Sequence, residues 1–466
     1  MPDAARRPTA VVIGGSISGL FAAAALVEHA DVTVVERDIL PVGPTPRRGV
    51  PQARHAHLVW SGGVAAFEEV LPGLVAELTA RGARLVHIMG DMVSRAPNEI
   101  WFRRFTATHH RNLVCSRDLL DAVLRDRVLA DTRITVRQNT TTLRLEGDTS
   151  RVTGVHIRTA DQDAEEILTA DLVIDASGRG SHAPQWLTEL GLPHVVEREV
   201  NAGVAYATRL YRAPGTSADI DFPLINVQAN PATAPGRGGI ILPIEGGRWI
   251  VTLSGTRGGE PTDDPAGFTD FALALGDPVI GALIKNAEPL GDISTTRSTA
   301  NRRRYFEKLR HWPDGFTVVG DAVAGYNPVY GHGITVAAQS ALALRRVLRC
   351  TGITRLGTAR RLQCAVTRPV AAAWDLAIGQ DIFYPGAGDT LPTPLERALA
   401  RFVDRAVATG ARNPRALGAL LDVMSLEKPA ARLFSPDMLI PMLFGPKRRF
   451  LQGPPLTDRE RKAATS

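Results

Sequence analysis

Apolar and polar positions follow three different rhythms along this chain, and the changes of rhythm divide it. Residues 9–13, "TAVVI", form a β-branched run of strand length. The alanine- and leucine-rich "GLFAAAALVEHA" that follows has helical character, and "DVTVVERD" is a second short strand ending in an acid, Glu36. Residues 41–63 are a Pro/Gly/Arg/His-rich loop entering a helix, and "SRDLLDAVLRDRVL" (116–129) predicts a helix with Ser116 as N-cap. "RITVRQ", "TTLRLEG", "RVTGVHIRT" and "EEILTADLVIDASG" then predict successive strands. Between 200 and 260, short strand-like runs alternate with Gly/Pro turns, which is the pattern of an antiparallel sheet. Ala205 and Ile241 are taken as positions where that sheet faces a cavity. A further strand, turn and helix occupy 315–348, and from about 351 the text is helical and broken by prolines.

The order predicts an α/β fold: a Rossmann-like βαβ domain interrupted by an antiparallel sheet, completed late in the chain, and followed by a helical C-terminal region. At 466 residues the chain is long enough for two domains or one elaborated one, with 44% hydrophobic and 22% charged residues, ordinary for a globular enzyme. The net charge of +6 does not make it a nucleic-acid binder. Only five of its 54 basic residues are lysines, the arginines are scattered, and the dense run "NRRRYFEKLR" lies in no recognition motif. Three cysteines without C-x-x-C spacing predict neither disulfides nor a metal site, so a reduced, cytoplasmic protein without metal is expected. No apolar run is long enough to span a membrane. Arg6 and Arg7 precede an apolar stretch, but Glu28, His29 and Asp31 cut it short, so a signal peptide is not expected. "FSPDMLIPMLFGP" (434–446) is read as a packed helix or loop apolar enough to lie on a surface.

The chemistry concentrates at two turns. The first reads Gly14, Gly15, Ser16, Ile17, Ser18, Gly19, a G-x-G-x-x-G line with serine at the middle glycine. A tight turn at Gly14, helix packing at Gly19 and an exposed helix N-terminus suit a pyrophosphate, and the small Ser16 can itself donate to a phosphate. Glu36, 22 residues beyond Gly14, would accept bonds from ribose hydroxyls, with Arg37 beside it. The second turn is "TVVGDA" followed by "GYNPVYGHG". Asp321 at the strand end is suited to a polyol, and the amides of Gly331 to Ile334 face whatever lies beyond the helix start.

Together the two turns resemble the two-part FAD signature of flavoprotein monooxygenases. "RRGVPQARHAH" followed by "SGG", "YATRLYRAP", "LPIEGGRWIVTLSGTRGGEP" and "GDAVAGYNPVYGHG" resemble the FAD-dependent olefin epoxidases of polyether polyketide pathways, the lasalocid and monensin type, from residue 9 to about 385. The resemblance implies a hydroxylase-type FAD domain (8–75, 111–182, 296–350), a β-sheet substrate domain (76–110, 183–295) and a helical region (351–466). It implies that Gly14, Gly15, Ser16, Gly19, Glu36, Arg37 and Arg117 hold the ADP half of FAD. Arg47, Arg48 and Gln52 would line the flavin face near His55 and His57. Asp321, Pro328, Gly331, His332, Gly333 and Ile334 would hold the ribityl chain and ring. His332, Arg48 and Tyr330 are the side chains that could position a substrate, whereas a histidine in a Gly/Pro-rich loop can equally serve only to satisfy backbone groups.

The implied reaction is oxygen transfer from a flavin C4a-hydroperoxide to an alkene of a large apolar, polyketide-like substrate. Such a step needs no side-chain base. One departure bears on the reductant: Ser177-Gly178 stands where aromatic hydroxylases carry an Asp-Gly pair that serves FAD and NADPH. Electrons would then come from NAD(P)H directly, or indirectly through a separate flavin reductase. A non-redox cyclase and a flavin-dependent alkene reductase are the competing readings.

Overall fold

The computed structural model describes residues 6–160, 162, 164–388, 391–445 and 448–465. Among these the centre is a five-stranded sheet in the order Phe316–Val318, Leu172–Asp175, Thr9–Ile13, Asp31–Val35, Ile134–Arg137, with every pair parallel. Val11 and Val12 are buried, so the unbroken apolar run of the first strand is what a strand covered on both faces requires. The helix Ile17–Leu26 packs against the helix Gly333–Thr351 on one side of the sheet. On the other lies an antiparallel meander of Thr140–Gly147, Val152–Thr159 and Glu166–Thr169. Ser116 caps the helix Arg117–Leu129 by accepting from the Leu119 N–H at 3.1 Å. The single strand read at 165–178 is two, Glu166–Thr169 and Leu172–Asp175, one in the meander and one in the parallel sheet.

The insertion forms a six-stranded sheet in the order Ser294–Thr296, Ala205–Arg212, Arg248–Gly255, Arg237–Ile244, Leu224–Val227, Met92–Arg95. Its last pair is parallel and the others are antiparallel. Period-two alternation gives it two faces. Ile241, Trp249, Val251 and Leu253 turn to a core covered by the helices Pro265–Leu273 and Val279–Ile284. Ile240, Leu242, Thr252 and Ser254 line a cavity on the other face. The expectation that Ala205 and Ile241 face the cavity is therefore corrected: their neighbours Tyr206 and Ile240 do.

The cavity is closed from a third side by C-terminal helices. Pro394–Gly410 starts with a capping box between Thr393 and Glu396, and Pro414–Met424 is capped by Asn413. Within 434–446, residues 436–444 form a helix that buries Met438 and Met442 and exposes Ile440, Leu443 and Phe444; residue 446 lies outside the described residues. Among the described residues no helix is long and apolar enough to cross a membrane.

Candidate active site

The cavity, about 750 Å³, runs from the Gly14 turn past the start of the Gly333–Thr351 helix to the C-terminal helices. Gly14 has φ +99°, and a Cβ there would lie 2.8 Å from the Ala176 carbonyl oxygen, so only glycine makes this turn. Gly19 sits directly over the Gly14 carbonyl. Ser16 is extended at the N-cap without capping the helix itself; its Oγ instead accepts from Arg117 Nη2 at 3.2 Å. Arg117 is in turn held by Asp121 at 2.8 Å. The serine in place of the middle glycine thus ties the turn to a cation at the helix N-terminus, an arrangement suited to an anion.

Glu36 lines the cavity but already has protein partners. It accepts from the Gly15 N–H at 2.7 Å and the Asp38 N–H at 2.9 Å, and pairs with Arg47 at 2.9 Å. Arg47 also donates to the Gly15 carbonyl at 3.0 Å. One sequence expectation is corrected here, that for Arg48. Arg47 lines the cavity and is also tied to the Gly turn, because a buried guanidinium needs a buried carboxylate and Glu36 supplies it. Arg48 does not line the cavity and is exposed, because it sits in a turn closed by the Val50 N–H on the Arg47 carbonyl at 3.2 Å. Arg37 and Gln52 both line the cavity.

At the other turn, Gly320 has φ +63° and a Cβ there would fall 2.3 Å from Ser18 Oγ. Its lack of a side chain lets the late turn sit on Ser18 of the first helix, 302 residues earlier in the chain. Asp321 follows, its 37% side-chain accessibility opening onto the cavity. Burial in that enclosure pushes its carboxyl up, opposed by Arg179 and Arg117. Its nearest cation is Arg179 Nε at 3.9 Å, and among the described residues no protein hydrogen bond reaches the carboxylate. Pro328, Tyr330, Gly331, His332, Gly333 and Ile334 all line the cavity, and the helix that begins at Gly333 presents its first unpaired N–H groups there.

The three histidines are held and neutral. His55 Nδ1 lies 2.8 Å from Thr208 Oγ1, and burial pushes its pKa down to about 4. His57 Nδ1 donates to the His55 carbonyl at 2.8 Å; burial and then Arg117 lower it to about 3. His332 donates from Nε2 to the Met424 carbonyl at 2.9 Å, stacks on Trp60 with ring centroids 5.7 Å apart, and is lowered by burial to about 4. That hydrogen bond fixes its tautomer, and among the described residues Nδ1 has no protein partner.

Sequence reasoning missed a buried polar network at the cavity wall. Asp381 accepts from Tyr330 Oη at 2.5 Å, from Asn301 Nδ2 at 2.6 Å and from Asn327 Nδ2 at 2.9 Å. Tyr206 Oη donates to Asn327 Oδ1 at 2.7 Å. Burial pushes the Asp381 carboxyl up despite these bonds. One signal was available: Asp381 ends the long helix Thr358–Asp381, where the helix dipole disfavours an acid unless something else holds it. The acid before Ser177-Gly178 is not free. Asp175 is fully buried and accepts from the Ser177 N–H and from both Ser177 and Ser181 hydroxyls.

A parallel βαβ core whose Gly turn and late Asp-bearing turn share one cavity, beside an antiparallel sheet, is the fold of an FAD-binding protein. The chain belongs to the FAD binding domain family, whose model matches residues 7–352. It is 33% identical over 398 residues to Protein Rv3254 of Mycobacterium tuberculosis, covering 82% of each chain. Among solved structures it is similar to the flavin-dependent brominase Bmp2, with TM-score 0.66 at 14% identity, covering 95% of this chain and 100% of that one. It is also similar to the OxyS anhydrotetracycline hydroxylase of Streptomyces rimosus, with TM-score 0.58 at 15% identity, covering 90% and 80%. At these identities the solved structures speak for the fold.

The residues fit FAD. The glycine at 14 removes the Cβ that would clash in the tight turn of a pyrophosphate loop, Ser16 and Arg117 stand at the helix start, and Asp321 has unmet acceptor capacity.

Proposed function

We propose that the protein is an FAD-dependent monooxygenase that epoxidises an alkene of a large apolar, polyketide-like substrate, as in the polyether epoxidases. The observation that carries this reading is the composition of the cavity. It is polar where the two turns meet and apolar at the far end, where Met92, Phe102, Leu242, Val407 and Leu420 converge. When bound, reduced FAD supplies activated molecular oxygen. This chain's residues would do the rest. Ser16 and Arg117 would hold the pyrophosphate, Asp321 a ribityl hydroxyl, and the N–H groups at the start of the Gly333 helix the electron-rich ring edge. The sheet face and C-terminal helices would exclude water and orient the alkene. Neutral, hydrogen-bonded His55, His57 and His332 suit positioning, because imidazoles lowered to about 3–4 are weak bases near pH 7.

Oxygen-18 labelling with NADPH, with and without an added flavin reductase, tests this on apolar polyene substrates. An epoxide carrying one labelled atom supports it. Reduction of the double bond would make the protein an alkene reductase, and turnover without oxygen or reductant a cyclase. The Asp381–Tyr330 pair favours a second reading, proton-dependent hydroxylation or ring closure. Asp381→Asn distinguishes the two: oxygen transfer within ~10-fold of wild type fits epoxidation, and a loss of ~10²–10⁴-fold with normal flavin content fits proton transfer.

A further inference from the structure

Outside the cavity, two histidines and two carboxylates far apart in sequence converge on one point. His109 and His110 meet Asp422, near the end of the Pro414–Met424 helix, and Glu427 just beyond it. One ligand atom from each lies within 4.8 Å of all the others. His109 Nε2 is 3.0 Å from Glu427 Oε2, His110 Nε2 is 3.2 Å from Asp422 Oδ1, and His110 Nε2 is 3.8 Å from Glu427 Oε2. A tetrahedral ion with bonds of ~2.0–2.1 Å places its ligands about 3.3 Å apart, and these separations bracket that value.

The outer contacts have the same logic. Each carboxylate turns one oxygen into the cluster and has the other held: Asp422 Oδ2 by Arg432 Nε at 2.7 Å, Glu427 Oε1 by Ser61 Oγ at 2.5 Å. Partners of this kind orient ligands around a metal. The two imidazoles are stacked with centroids 4.0 Å apart. Two imidazolium rings would repel at that distance, whereas two neutral rings sharing an ion would not. His110 is buried and His109 is 71% exposed, so the site is preformed yet open to solvent.

We propose that His109, His110, Asp422 and Glu427 bind one divalent transition-metal ion of the zinc class. Imidazole with carboxylate suits such ions, and four protein ligands make the site structural, with no position left for substrate. The ion would pin the Pro414–Met424 helix to the body of the protein. Leu420, Leu421 and Met424 of that helix line the cavity, and the Met424 carbonyl holds His332. The clip would therefore fix the apolar wall.

The test uses untagged full-length flavoprotein, stripped with a chelator, incubated with zinc and desalted. Elemental analysis should find one zinc per chain, and cobalt should give the visible absorption of a tetrahedral centre in the difference spectrum. His109→Ala, at an exposed position, and Glu427→Gln should each lower zinc affinity tenfold or more while flavin content is unchanged. Zinc should raise the melting temperature of the wild type but not of His109→Ala. Substoichiometric zinc in the wild type, or unchanged affinity in both variants, would overturn the proposal and leave the cluster a network of ion pairs.

Discussion

Asp321 and His332 show how a side chain's missing partner points to its role. Asp321 lines the cavity and, among the described residues, no protein hydrogen bond reaches its carboxylate, so a bound polyol would be its partner. Asp321→Ala should lose a charge-assisted hydrogen bond of ~1.5–3 kcal/mol, which lowers FAD affinity by roughly one to two orders of magnitude. Flavin titration of the apoprotein measures this, and unchanged affinity in a folded variant would remove Asp321 from the site. His332 is a case of linkage. Its folded pKa is about 4 against an unfolded value of 6.5, so the unfolded chain binds more protons between those values. Stability is full above pH 6.5 and falls as the pH drops toward 4. Between pH 7.5 and 5.5 the wild type should lose ~1.3 kcal/mol more than His332→Gln. Urea unfolding at the two pH values checks it; equal losses would show that His332 titrates normally.

At the scale of elements, what was legible followed periodicity. The βαβ opening, the Ser116 cap and the strands at 134–159 stand where the pattern placed them, because each depends on local spacing. What failed depended on parity or on a distant partner. A sheet face flips with a one-residue offset, and nothing local distinguishes Ile240 from Ile241. Arg47 found Glu36 across the loop while its neighbour Arg48 turned outward, a choice made by tertiary pairing. The sheet geometry gives a paired prediction. Ile240→Trp should keep FAD and stability but weaken binding of an apolar substrate, whereas Ile241→Trp should overpack the covered core and cost ~1–3 kcal/mol. Binding and unfolding measured on both variants test it, and the reverse pattern would mean the two faces are exchanged.

At the scale of the whole molecule, the cavity belongs to no single segment. The first turn, the late turn, the inserted sheet and the C-terminal helices each supply one wall. The two turns were legible because each carries its own glycines and acid. The walls supplied by Asp381, Met424 and the helices after 394 were not, since those residues acquire meaning only when the fold brings them beside Tyr330 and His332. The same holds for the His109–Glu427 cluster, whose members are spread over more than 300 residues.

The two turns would together hold one FAD in a cavity that continues toward an apolar far end. The most direct measurement is to denature the purified protein and identify the released flavin by mass spectrometry, with its molar ratio to the chain. FAD is expected at one per chain, recovered again after removal and reconstitution. Release of FMN, or a colourless protein that cannot be reconstituted with FAD, would contradict it.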